Sequence, residues 1–129
     1  MIVVGYTADQ FGTAALEHAI AEARVRKTAL RVVNSTKGDA LADPKFAQSD
    51  ALRELQDRLG ASGVPYEVSQ PVGVDAVEEL LVAMDSPDAE LLVIGIRHRN
   101  PVGKLLLGSV SQQLLLECPK PVLAVKPPQ

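Results

Sequence analysis

A chain of 129 residues has the length of one ordinary domain and can bury a core without disulfides or metal. Its 47% apolar and 22% charged residues argue against disordered and membrane-embedded classes. A net charge of −3, no Trp, two Phe and two Tyr argue against a nucleic-acid binder, which needs basic surface and base-stacking rings.

The run Ile2-Val3-Val4 is continuously β-branched rather than alternating, as in a parallel strand covered on both faces. Leu16, Ala19, Ile20 and Ala23 then fall at helical spacing and predict a helix over about Thr13 to Arg26. Leu30 to Val33 reads as a second strand. Asp43-Pro44 has the form of a helix start, with an acid to cap free amides and a proline at the first position. Leu52, Leu55 and Leu59 follow as an apolar stripe, which Gly60 and Gly63 are expected to end. Tyr66 to Ser69 is a third strand. Asp75 with Glu78 resembles a capping box, and Val77, Leu80, Leu81 and Met84 form the buried face of the helix it opens. Ser86-Pro87-Asp88 is a turn, Leu91 to Ile94 a fourth strand, Ser109 to Glu117 a fourth helix and Pro121 to Val125 a last strand. Strands and helices alternate throughout, so the chain predicts one α/β domain over residues 1–129, with a mostly parallel sheet and helices on both faces.

Cys118 is the only cysteine, so no internal disulfide can form, and it is expected as a buried structural thiol. The run Met1 to Val4 is too short for a secretory leader, and no stretch reaches the length of a membrane span. The expectation is a cytoplasmic protein with no membrane and no nucleic-acid partner. His18, beside the apolar stripe of the first helix, is expected at the surface. Metal-ligand spacing is absent, as is any Ser-His-acid or Cys-His pattern. A phosphate-accepting receiver domain needs acids after its early strands, where this chain has Thr7 and Asn34.

In doubly wound sheets, ligands bind beyond the carboxyl ends of strands where the winding reverses. Two loops qualify by composition: Gly5 to Asp9, and Gly95 to Lys104. The segment Leu91 to Leu116 carries Arg97, Arg99 and Lys104 and no acid, and it runs into Gly108-Ser109 at a helix start. Free amides and a partial positive charge there suit phosphate, although Ser109 could act simply as a helix cap and the arginines as solvated charges.

The spacing Gly95, two residues, His98, nine residues, Gly108-Ser109 resembles the signature of universal stress proteins, which reads Gly, two residues, Gly, nine residues, then Gly followed by Ser or Thr. The following Val110-Ser111, the closing Pro119-Lys120-Pro121-Val122-Leu123-Ala124-Val125 and the helix start Ala14-Ala15-Leu16 are also typical, so the resemblance spans the chain. It implies a three-layer α/β/α fold around a five-stranded parallel sheet of order 3-2-1-4-5, as in the adenine nucleotide alpha hydrolase-like folds. It implies a non-enzymatic role in stress response or signalling, and a site for ATP or AMP, with Mg present only alongside ATP. The site would comprise Thr7, Val32, Gly95, His98, Arg99, Lys104, Gly108, Ser109, Val110 and Ser111. Val32 would lie at the adenine, Gly95 near ribose, and Gly108, Ser109 and Ser111 near phosphates. A homodimer would form through Val122, Leu123, Ala124 and Val125. The chain departs from the pattern twice. His98 replaces the second glycine, as a phosphate contact or as a loop filler, and Thr7 replaces the usual Asp that contacts adenosine. These departures leave open a nucleotide-free dimeric interaction module. A third alternative is an ATP hydrolase with Asp9 as its water-activating base.

Overall fold

The computed structural model describes residues 1–38, 42–97 and 107–128. Nine elements follow in the order β1 (Ile2–Gly5), α1 (Gln10–Arg26), β2 (Leu30–Val33), α2 (Ser49–Ser62), β3 (Tyr66–Ser69), α3 (Ala76–Met84), β4 (Leu91–Gly95), α4 (Ser109–Glu117) and β5 (Val122–Val125) among the described residues. The strands form one five-stranded sheet of order β3-β2-β1-β4-β5, parallel throughout, as the resemblance implied.

Alternate residues of β1 face opposite cores, as the two-residue period of a strand requires. Ile2 and Val4 join Leu30, Val32 and Val93 in a cluster closed by Ala15, Ala19 and Ile20 of α1 and Leu55 and Leu59 of α2. Val3 joins Val33, Leu92 and Ile94 under Val77, Leu80 and Met84 of α3 and Leu114 of α4. The first two helices therefore cover one face and the last two the other. Each fully buried Ile or Leu in these clusters contributes about 1.5–3 kcal/mol of transfer free energy.

Helix boundaries differ from expectation where capping overrides apolar periodicity. α1 begins at Gln10, three residues before Thr13, because Asp9 Oδ1 accepts from the Phe11 and Gly12 amides, each at 3.0 Å. Asp43-Pro44 does not open α2, which starts only at Ser49. The Asp43 carboxylate instead accepts from Thr36 Oγ1 at 2.7 Å and from the Lys45 amide at 3.0 Å, an Asx turn that competes with helix initiation. Gly60 lies inside α2, and only Gly63, at φ 76°, ends it. Asp75 caps α3 as expected, accepting from the Glu78 amide at 3.1 Å. His18 is exposed. Cys118 is half-buried against the second cluster rather than fully buried. Among the described residues, no helix is long and apolar enough to cross a membrane.

One packing contact positions the carboxyl edge of the sheet. A Cβ on Gly12 would collide with the Thr7 backbone, and a Cβ on Gly95 with the Phe11 backbone. Glycine at both positions lets the first turn of α1 lie directly on the ends of β1 and β4. Gly12→Ala is therefore expected to cost at least about 2 kcal/mol in urea denaturation. Gly60→Ala, in a helix interior where a Cβ would meet only the Tyr66 hydroxyl at 3.9 Å, should stabilise by about 0.5–1 kcal/mol. A Gly12→Ala protein as stable as the parent would contradict the assignment.

Candidate functional site

Winding reverses between β1 and β4. The chain leaves β1 for α1 on one face and leaves β4 toward α4 on the other, so the two connections diverge and open a crevice. A cleft of about 530 Å³ occupies this position, within the range of small-ligand sites. Gly5, Tyr6, Thr7 and Asp9 line it on one side, and Gly108, Ser109, Val110 and Ser111 on the other.

The structure thus brings six of the predicted residues together: Thr7, Gly95, Gly108, Ser109, Val110 and Ser111. Val32 is not among the lining residues. It is 0% exposed and packs in the core beneath α1 and α2, while the next residue, Val33, lines the cleft. The strand period explains the exchange, since successive side chains point to opposite faces. His98, Arg99 and Lys104 lie outside the described residues.

The glycines of the signature have different physical reasons. Gly95 is required by the chain itself, through its contact with Phe11. A Cβ on Gly108 would meet no atom within 4 Å among the described residues, and its φ of −64° suits any residue. Neither packing nor backbone conformation demands glycine there.

Three helix N-termini border the cleft, and they are satisfied unequally. Asp9 caps α1 and Asp75 caps α3, whereas the N-cap of α4, Gly108, supplies no side-chain hydrogen bond. The free amides and positive dipole end of α4 therefore open onto the cleft with no side-chain bond from their own N-cap residue. Asp9 secures the start of α1 through one carboxylate oxygen. Its Oδ1 accepts from Thr7 Oγ1 at 2.6 Å as well as from the Phe11 and Gly12 amides. The Thr7 hydroxyl proton is committed to this bond, so Thr7 can offer a ligand only its lone pairs.

The cleft extends further than the two loops predicted from sequence. Ser35, Thr36, Lys37, Asp43 and Lys45 after β2, and Val74 to Ala76 at the start of α3, complete its wall. The available signal was the parallel order itself, because it places every strand's carboxyl end on one edge. Lys37, Lys45 and Arg97 are exposed and form no ion pair among the described residues. Tyr6 is held above the ordinary phenol pKa by burial first, then by the negative charges of Asp9 and Glu54. Asp43 is held below the usual carboxylate value, chiefly by the Thr36 hydroxyl and then by the Lys45 amide.

An α/β protein of 3-2-1-4-5 order, with a cleft at the switch point and a helix N-terminus opening onto it, belongs to the doubly wound class of folds. The family is specific: the model of the universal stress protein family matches residues 1–126, and the chain belongs to that family. It is 71% identical over 127 residues to a universal stress protein of Mycolicibacterium smegmatis, covering 98% of each chain. Among solved structures, a universal stress protein from Archaeoglobus fulgidus matches at 29% identity and a TM-score of 0.78, over 97% of this chain and 96% of that one. A universal stress protein solved in complex with cAMP matches at 26% identity and a TM-score of 0.72, over 97% and 94% of the two chains.

A lowered carboxylate pKa stabilises the fold above the unfolded value, and that contribution is lost as pH falls through the folded value. The Asp43 turn should therefore loosen on acidification below the ordinary carboxylate range. Acid titration followed by amide chemical shifts is expected to show Thr36 and Lys45 moving together with the Asp43 carboxylate. Asp43→Asn should abolish that transition, and its persistence in the variant would assign it to another group.

Proposed function

We propose that this universal stress protein binds an adenine nucleotide in the cleft, with phosphate at the N-terminus of α4 and the nucleoside toward the loops after β1 and β2. One observation carries the reading: Gly108 has no steric or conformational role within the described chain, yet it opens the uncapped first turn of α4 into the cleft. Glycine there leaves room for an anion to approach the amides, and the Ser109 and Ser111 hydroxyls are placed to donate to it. Arg97, Lys37 and Lys45 supply positive charge at the margins. The cAMP complex of a protein 26% identical to this one supports an adenine nucleotide over other phosphorylated ligands. His98 belongs to the proposal through its place in the signature, Arg99 and Lys104 through the basic, acid-free composition of their loop, and Mg would enter only with ATP.

The role proposed is binding, and Asp9, the base an ATP hydrolase would need, spends one of its carboxylate oxygens as the cap of α1. The single cysteine accords with a cytoplasmic protein. A homodimer through β5 forms part of the same proposal. The strand lies at the sheet edge, Val122, Leu123 and Ala124 are only partly covered, and Leu116 on the neighbouring helix is 78% exposed. A nucleotide-free dimeric module is the competing reading, favoured by the engaged Thr7 hydroxyl.

Calorimetric titration with ATP, AMP and cAMP is expected to show saturable binding. No heat at millimolar nucleotide would exclude the nucleotide reading in favour of the interaction module. Gly108→Ala should weaken binding at least fivefold while changing stability by no more than about 1 kcal/mol. Equal affinity in that variant would remove phosphate from this helix end. Sedimentation over a range of concentrations should detect a dimer, and a monomer at every concentration would refute the β5 interface.

A further inference from the structure

Asn34, the residue after β2, is 1% exposed and uses its whole hydrogen-bonding capacity. Its Nδ2 donates to the Tyr6 carbonyl at 2.9 Å and to the Lys45 carbonyl at 3.1 Å. Its Oδ1 accepts from the Ala47 amide at 2.8 Å and from Gln70 Nε2 at 3.1 Å. The Ala47 amide can only donate, which fixes the orientation of the Asn34 side chain. Gln70 Nε2 also donates to the Ala47 carbonyl at 3.0 Å, and the Lys45 carbonyl takes a second bond from the Ala8 amide at 2.8 Å.

Residues 42–48 contain no helix or strand, so no regular ladder holds them. Tyr6 and Lys45 both line the cleft. One buried amide thus joins the turn after β1, the segment before α2 and the residue after β3. An apolar side chain of the same size would leave the Tyr6 carbonyl and the Ala47 amide without these partners. A carboxylate would set an oxygen against two carbonyl oxygens.

We infer that Asn34 is a positioning residue of the cleft, clamping the Lys45 wall to the turn after β1 so that the nucleoside end of the site has a fixed width. The inference rests on the adenine-nucleotide reading for its functional consequence, but the clamp can be measured without ligand. Amide hydrogen exchange of Asn34→Ala should show faster exchange at Ala8 and Ala47, with Val4 and Val93 still protected in the central strands. Gln70→Ala should speed exchange at Ala47 alone, and it carries the test if Asn34→Ala does not fold. Affinity for AMP should fall about tenfold in Asn34→Ala and less in Gln70→Ala.

A uniform rise in exchange, or none at Ala47 in either variant, would overturn the clamp. Selective exchange with unchanged AMP affinity would overturn the positioning role. If the parent protein binds none of ATP, AMP and cAMP, the nucleotide reading fails, and the exchange pattern alone decides whether the clamp exists.

Discussion

The structure depends on one close approach: the first turn of α1 lies against the backbone at the ends of β1 and β4. Side chains at Gly12 or Gly95 would prevent it, and the Asp9 carboxylate secures it by gathering the Thr7 hydroxyl and two amides onto one oxygen. This contact closes one flank of the switch point and leaves the other open toward α4. The cleft follows from the asymmetry: the helix that meets the strand ends directly forms a wall, and the helix that arrives after a longer connection leaves a space.

The same asymmetry sets the electrostatics. Acidic caps neutralise the positive ends of α1 and α3 within the chain, which removes them as anion sites. α4 follows glycine at its N-cap and receives no cap bond from that residue. On a net acidic protein, the cleft margin nevertheless carries cations from three separated positions, Lys37, Lys45 and Arg97. Two of these cations, Lys37 and Lys45, stand with Asp43 on the wall after β2, across the cleft from α4.

That opposite wall is irregular backbone, so its shape needs side-chain bonds. The Asp43 turn and the Asn34 amide supply them from two directions. The signature residues lie in β4 and at the start of α4, whereas this wall is held by Asn34 and Asp43, which lie outside the signature. Thr7 stands where the family pattern has an acid, and its hydroxyl donates to Asp9.

By itself the sequence determined the element order, the parallel sheet and four of the helices. Continuous β-branched runs and helical spacing of apolar residues are local signals that burial on both faces enforces. The signature spacing likewise located Gly95 and Gly108 to Ser111 at one crevice. Only the tertiary structure decided which valine of β2 reaches the cleft, because Val32 and Val33 differ by the face they present and nothing local distinguishes them. It also decided that Asp43 holds a turn and that Asp9 is a cap. A carboxylate near a helix start reads the same in sequence whichever amides it accepts from, and Thr36, the hydroxyl partner of Asp43, lies seven residues earlier in an irregular connection. The wall after β2, and the Asn34 amide that fixes it, depend on contacts among segments far apart in the chain, which no periodicity records.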